Sequence, residues 1–150
     1  MATKKPTTLA AEKLDQILTN MGLSAKVTVT GDDPPMLEIE VDDPGLLIGT
    51  RGDGIRSLQH LLRMLLLKEG EDLAVLIDID GYREKKEQQL SELAKRKAEQ
   101  VKASGRLEVL SPMSSYERRL VHIAIRDDDG VVTESLGEGK DRRVMIKKAE

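Results

Sequence analysis

A short loop between two predicted helices carries the residue types best suited to bind phosphate. It has the sequence Leu47-Ile48-Gly49-Thr50-Arg51-Gly52. Its two glycines let the backbone approach a ligand closely, and the helix that follows offers unpaired N–H groups and the positive end of its dipole. Arg51 places a cation at the tip. The loop therefore predicts a phosphate site, although two glycines at this spacing are also common in ordinary turns.

Basic residues also recur along a predicted helix in the second half of the chain. Arg118, His122 and Arg126 are spaced by four residues and share one face of this helix, with Arg119 beside them. The basic stripe is predicted to look outward, because apolar residues occupy the opposite face: Tyr116, Leu120 and Ile123. The stripe is a candidate binding surface, and a solvated helix face with a surface histidine is the alternative.

The composition excludes several kinds of active site. The chain of 150 residues has no Cys, which removes thiol catalysis, disulfides, iron–sulfur clusters and Cys-based zinc sites. Its two His are too few for a three-His zinc site. With no Trp, no Phe and two Tyr, a surface that stacks bases on aromatic rings is disfavoured. We therefore expect no metal and no cofactor.

The charge is unevenly distributed along the chain. The net charge is -3, but residues 1–80 carry 8 Lys and Arg against 14 Asp and Glu, whereas residues 81–150 carry 16 against 13. Residues 1–8 include two lysines with no apolar segment behind them, and no run of 18 apolar residues occurs. We therefore expect a cytoplasmic protein without an export signal and without a membrane partner.

Hydrophobic periodicity predicts the elements that position the loop. The pattern indicates helices over residues 7–21 and 53–68, strands over 25–30, 36–41 and 73–79, and a short helical turn over 45–48. The predicted order is α-β-β-α-α-β, a two-layer α+β domain spanning residues 7–82.

The second half is predicted to begin with a long helix. Residues 83–105 are rich in Lys, Glu, Gln, Ala and Leu and end at a glycine, which predicts a connector helix with a narrow apolar seam. A second small α+β domain is predicted over residues 106–150. Its helix begins with a capping box, in which the Ser114 side chain caps the helix and the Glu117 side chain reaches back to it.

In its α-β-β-α-α-β context, the loop resembles that of a type II KH domain, where such a loop holds the backbone of about four nucleotides. The resemblance implies that Ile48, Ile55 and the stem of Arg56 line an aliphatic slot for bases. The segment from Arg118 to His122, followed by Arg142 and Arg143 in a predicted strand, resembles the R-three-H domain. That module is named for an Arg and a His separated by three residues, and it binds single-stranded nucleic acid.

A KH domain followed by a helix and an R-three-H domain resembles one bacterial family, the Jag proteins, also called KhpB or EloR. The motifs Asp80-Gly81-Tyr82-Arg83-Glu84 and Gly137-Glu138-Gly139 extend the resemblance over about residues 7–147. Many members carry a further N-terminal Jag domain, whose properties we do not expect to apply here. The resemblance implies that the loop and the four residues Arg118, His122, Arg142 and Arg143 bind two stretches of nucleic-acid backbone.

Three functions compete on this basis. The leading hypothesis is a non-catalytic regulator that binds single-stranded RNA, or single-stranded DNA, after transcription; the resemblance adds a link to cell elongation or division. The second is a protein–protein adaptor whose KH surface forms a homodimer or pairs with the single-KH protein KhpA. The third is a nuclease with His122 as base and acids such as Asp127, Asp128 and Asp129 as metal ligands.

Overall fold

The computed structural model describes residues 5–150, and the chain divides at Arg83 into two compact units. Each unit has its own apolar core and contains both helices and strands, which confirms the α+β class. None of the helices in the described part combines the length and the apolar character needed to cross a bilayer. The expectation about an export signal rests partly on residues 1–4, which lie outside the described residues.

The first unit has a three-stranded sheet with helices on one face. Its elements are α1 (Pro6–Asn20), β1 (Ala25–Thr30), β2 (Met36–Val41), α2 (Pro44–Ile48), α3 (Asp53–Lys68) and β3 (Leu76–Ile79). Strand β2 lies between β1, to which it is antiparallel, and β3, to which it is parallel. The order of elements along the chain agrees with the predicted α-β-β-α-α-β. The strand order in the sheet makes β3 an edge strand.

The two faces of this sheet differ in polarity, because successive side chains of a strand point in opposite directions. Leu37 and Ile39 of β2 are fully buried in the core, whereas Glu38 and Glu40 are exposed on the other face. The helices cover the apolar face with five buried leucines: Leu14, Leu18, Leu58, Leu62 and Leu66. Each of these buried side chains contributes about 1.5–3 kcal/mol to the stability of the unit.

The second unit is built around a helix that the sequence predicts as a connector. Helix α4 (Tyr82–Ser104) buries four residues in the core of this unit: Leu90, Ala94, Ala98 and Val101. The other elements are β4 (Glu108–Val109), α5 (Ser115–Ala124), β5 (Val131–Leu136) and β6 (Arg143–Lys148). The strands form an antiparallel sheet in the order β4-β6-β5. Most of the predicted connector is therefore packed into the second unit.

Candidate nucleic-acid interface

The predicted phosphate loop joins α2 to α3 through a sharp reversal of the backbone. Gly49 has φ 71° and ψ -177°, Arg51 has φ 55°, and Gly52 has φ 77°. Positive φ is expected for glycine but is uncommon for arginine. Arg51 and Thr50 are exposed at the tip, and α3 begins immediately after Gly52. The loop thus exposes its basic tip beside the first turn of α3, where helical N–H groups lack intrahelical partners.

A third glycine, which the sequence reasoning missed, holds the two helix ends together. A Cβ atom on Gly54 would lie 2.7 Å from the carbonyl oxygen of Ile48, and one on Gly49 would lie 2.8 Å from the amide nitrogen of Gly54. Backbone therefore packs directly on backbone at this point. The sequence does contain a signal for this contact, because Gly54 lies in the first turn of a predicted helix and glycine is unfavourable in helices.

Arg56 supports the loop from the first turn of α3. Its Nη1 donates a hydrogen bond of 3.1 Å to the carbonyl oxygen of Arg51, and its Nη2 forms an ion pair with Asp53. The guanidinium therefore links the loop tip to the helix. Arg56 therefore helps to fix the loop conformation, and it also lines the cavity described next.

A cavity of about 280 Å³ lies between α3 and the segment that enters β3. Its apolar lining comes from Leu62, Leu66, Leu73, Val75 and other residues of these two segments, and its polar lining comes from four residues: Arg56, Gln59, His60 and Arg63. Of the three residues predicted to line a slot, Arg56 borders this cavity. Ile55 is 5% exposed and belongs to the core, and Ile48 packs against that core.

The edge strand beside the cavity is partly closed by side chains. Gln59 Oε1 accepts a hydrogen bond of 3.1 Å from the Ile77 N–H, and Arg83 Nε donates one of 3.1 Å to the Ile77 carbonyl oxygen. Both side chains therefore bind the free edge of β3 at one residue. Ala74 and Val75, which precede β3, line the cavity. Sequence reasoning missed Gln59 and Arg83, because their role depends on which strand lies at the edge.

In the second unit, Arg118 and His122 are half-buried and hydrogen-bonded to protein. Arg118 Nη1 donates to the Met113 carbonyl oxygen at 2.9 Å. The His122 ring lies 2.6 Å from the Thr133 hydroxyl through Nδ1 and 3.2 Å from the Ser135 hydroxyl through Nε2. Burial, and then the positive charge of Arg118, lower the pKa of His122 below its ordinary value of 6.5. The imidazole is therefore neutral at pH 7 and links α5 to β5.

The backbone of Met113 links Arg118 to Arg142, which directly precedes β6. Its N–H donates to the Arg142 carbonyl oxygen at 3.1 Å, while its own carbonyl accepts from Arg118. Arg142 Nη1 binds the Gly137 carbonyl oxygen at 2.8 Å, and Arg143 Nε binds the Asp141 carbonyl oxygen at 3.0 Å. Hydrogen bonds to the Met113 backbone thus connect Arg118 with Arg142. The side chains of Arg142 and Arg143 stabilise the turn between β5 and β6.

The predicted orientation of the basic helix is wrong. Tyr116 and Ile123 are exposed, and the buried residues of α5 are Glu117 and Val121. The reason is core packing, because Val121 and Ile125 are buried in the second core and turn their face of the helix inward, which leaves Arg118 and His122 half-buried. The capping box is confirmed: Ser114 and Glu117 exchange hydrogen bonds, and the Glu117 carboxylate forms an ion pair of 3.1 Å with Lys86.

Two residues of the predicted stripe lie apart from this cluster. Arg119 is exposed on α5. Arg126 follows the end of the helix at Ala124, and its Nε lies 3.7 Å from Asp127. Next to it, Asp128 accepts hydrogen bonds from Lys102 at 2.8 Å and from the Gly130 N–H at 3.0 Å, and the Lys102 contact lowers the pKa of Asp128. Among residues 5–150, no three acidic, His or Cys side chains come together as a metal site.

Comparison with known proteins places both halves of the chain in one group. Residues 88–148 match the R-three-H domain family. The chain is 37% identical over 141 residues to the RNA-binding protein KhpB of Clostridium symbiosum. This alignment covers 91% of this chain and 64% of that protein. It is 33% identical over 132 residues to KhpB of Lactiplantibacillus plantarum, covering 87% of this chain and 41% of that protein.

A further relative, the RNA-binding protein KhpB of Bacillus subtilis, is 35% identical over 104 residues, which cover 67% of this chain and 50% of that protein. The alignments thus cover between 41% and 64% of the length of these three relatives. The R-three-H match begins within α4, in agreement with the packing of that helix into the second unit.

Proposed function

The chain belongs to the Jag, or KhpB, family, and we propose that it is a non-catalytic, cytoplasmic protein that binds single-stranded RNA through both units. The proposal treats residues 7–82 as a type II KH domain and residues 106–150, with α4, as the part that carries the R-three-H domain. The observation that carries it is the position of the loop, whose tip residues Thr50 and Arg51 are exposed, beside a cavity with basic side chains on its rim.

The charge distribution of the first unit supports this assignment. The exposed face of its sheet carries Glu38 and Glu40, with Lys26 paired to Glu40 in the strand register. The loop and the cavity rim carry three arginines instead: Arg51, Arg56 and Arg63. Two of these arginines pair with Asp53 and Asp72, so three positive charges minus two negative ones leave the loop and the rim with an excess of one positive charge. A unit that is acidic in total therefore keeps a small positive excess where the loop opens, and such an excess favours binding to a polyanion.

In the proposed mechanism, N–H groups of the loop and of the first turn of α3 bind phosphate oxygens, with Arg51 as the mobile cation. An unstacked base enters the cavity beside the Ala74 and Val75 backbone. In the second unit, Arg118, Arg119, Arg142 and Arg143 bind a further stretch of backbone, and His122 positions Thr133 and Ser135. A single strand is preferred because only an unstacked base can enter the cavity.

The test is a charge reversal with a matched control. Thr50→Asp with Arg51→Asp leaves both loop glycines in place, and Lys26→Asp with Thr28→Asp makes the same charge change on the exposed sheet face. Fluorescence anisotropy with a labelled RNA of about 20 nucleotides should show at least about a tenfold loss of affinity for the loop variant, since charge-assisted contacts contribute about 1.5–3 kcal/mol. Equal losses for the two variants contradict the proposal.

The adaptor function has a separate observation in its favour. Leu61, Met64 and Leu67 follow one another along α3 and are 45%, 54% and 44% exposed. Three large apolar side chains in one exposed row fit a protein partner: a second copy of the chain or a single-KH protein such as KhpA. The link to cell elongation or division that the family resemblance implies belongs to the RNA-binding proposal.

Sedimentation of the wild type and of the Leu61→Gln, Met64→Gln variant, which adds no charge, tests this adaptor function. The expected result is a wild-type dimer, or a complex with added KhpA, that the variant loses while its RNA affinity stays the same. A wild type that sediments as a monomer with and without KhpA removes the adaptor function.

A further inference from the structure

The two arginines on the rim of the cavity each have an acidic partner. Arg56 forms its ion pair with Asp53, and Arg63 Nη2 lies 3.5 Å from Asp72 Oδ1. The arginines are seven residues apart on α3, so they lie on the same face, about 10 Å apart along its axis. All four side chains are half or more exposed. Both ends of the rim therefore hold a carboxylate where a nucleic-acid backbone would pass.

The two carboxylates come from different parts of the chain. Asp53 is the first residue of α3, where the helix dipole and the unpaired N–H groups favour a negative charge. Asp72 lies just before Leu73, the first residue of the strand-side lining. A carboxylate that already interacts with an arginine reduces the number of counterions that this arginine releases from a nucleic acid, and counterion release drives non-specific binding.

We propose that Asp53 and Asp72 determine specificity in this site, by neutralising the rim arginines so that charge alone does not hold a nucleic acid. This inference rests on the proposed function of the first unit. A single strand still gains the loop hydrogen bonds and the cavity, which its unstacked base can enter. A duplex offers phosphates without an unstacked base, and with the arginines neutralised it gains little.

The experiment compares the Asp53→Asn, Asp72→Asn double variant with a matched control, Glu38→Gln with Glu40→Gln. Both pairs remove two exposed carboxylates, but the control residues lie on the opposite face of the sheet. The full-length chain is titrated with a single-stranded RNA of about 20 nucleotides and a DNA duplex of about 20 base pairs at several salt concentrations. Thermal unfolding checks that each variant folds, and Asp72→Asn alone tests the idea without altering the first turn of α3.

We expect the double variant to bind the single strand about three- to tenfold more tightly, as two exposed ion pairs of about 0.2–1 kcal/mol each allow. Its log–log salt slope should steepen by about 0.7 for each released arginine. Duplex affinity should rise by a larger factor, so that discrimination falls. The control should change both affinities by less than the double variant does and leave discrimination intact.

Two results overturn the inference in different ways. If the wild type binds the single strand through the loop but the double variant behaves as the control does, the carboxylates act only through net charge, and this inference alone fails. If the wild type shows no binding that depends on Thr50 and Arg51, the proposed function fails, and the inference fails with it.

Discussion

The two units present their candidate sites with different parts of the chain. In the first unit, the loop works through backbone: positive φ at Gly49 and Gly52, and direct backbone packing at Gly54. In the second unit, Arg118 and His122 are held by hydrogen bonds to Met113, Thr133 and Ser135. The first site is therefore sensitive to added side-chain volume, and the second to the loss of single hydrogen bonds and to protonation.

The largest effect should come from adding one methyl group to the first site. Gly54→Ala places a Cβ against the Leu47 and Ile48 carbonyl oxygens, so α2 and the loop must shift. We expect the first unit to lose about 1–3 kcal/mol of stability, as for overpacking elsewhere, and RNA affinity to fall at least as far as in the loop charge reversal. Urea unfolding and RNA titration measure the two effects.

Gly45→Ala is the control for this substitution, since the nearest atom to its added Cβ is an Asp43 carboxylate oxygen at 3.8 Å. It should leave both the stability and the affinity close to those of the wild type. Equal behaviour of the two alanine variants would show that the backbone contact at Gly54 does not maintain the loop.

An intermediate effect should separate the arginines of the two sites. Arg118→Ala removes the donor to the Met113 carbonyl, and we expect the second unit to lose about 1–2 kcal/mol of stability along with RNA affinity. Arg51→Ala, at an exposed tip, should lower RNA affinity while stability stays within about 0.5 kcal/mol. Stability and affinity measured on the same samples test this. If Arg51→Ala lost as much stability as Arg118→Ala, the two arginines would not differ in their structural role.

The smallest effect should be a pH dependence confined to the second unit. Because the folded-state pKa of His122 is lowered, the unfolded chain takes up a proton at His122 before the folded chain does as the pH falls below 6.5. The stability from His122 is therefore present above that pH and is lost during acidification. Melting temperatures between about pH 7.5 and 5.5 should fall less in His122→Gln than in the wild type.

Much of the local structure was predictable, because it depends on neighbours in sequence. The alternation of Leu37 and Ile39 with Glu38 and Glu40 predicted a strand with one buried face, and that prediction is confirmed. The Ser114 capping box is confirmed for the same reason, since its partners are three residues apart. The resemblance to the Jag family is also confirmed, although it did not identify which side chains border the cavity.

Local residue patterns predicted the α+β class, the order of the elements and the position of the loop between two helices. The tertiary structure decided that Gln59, His60 and Arg63 line the cavity, that Ile55 belongs to the core, and that α4 packs into the second unit. The orientation of α5 likewise follows from the packing of Val121 and Ile125 in the second core. The reason is the distance in sequence between the contacting residues. Periodicity and capping involve residues a few positions apart, whereas these contacts join side chains from separate elements. No local pattern specifies which elements pair.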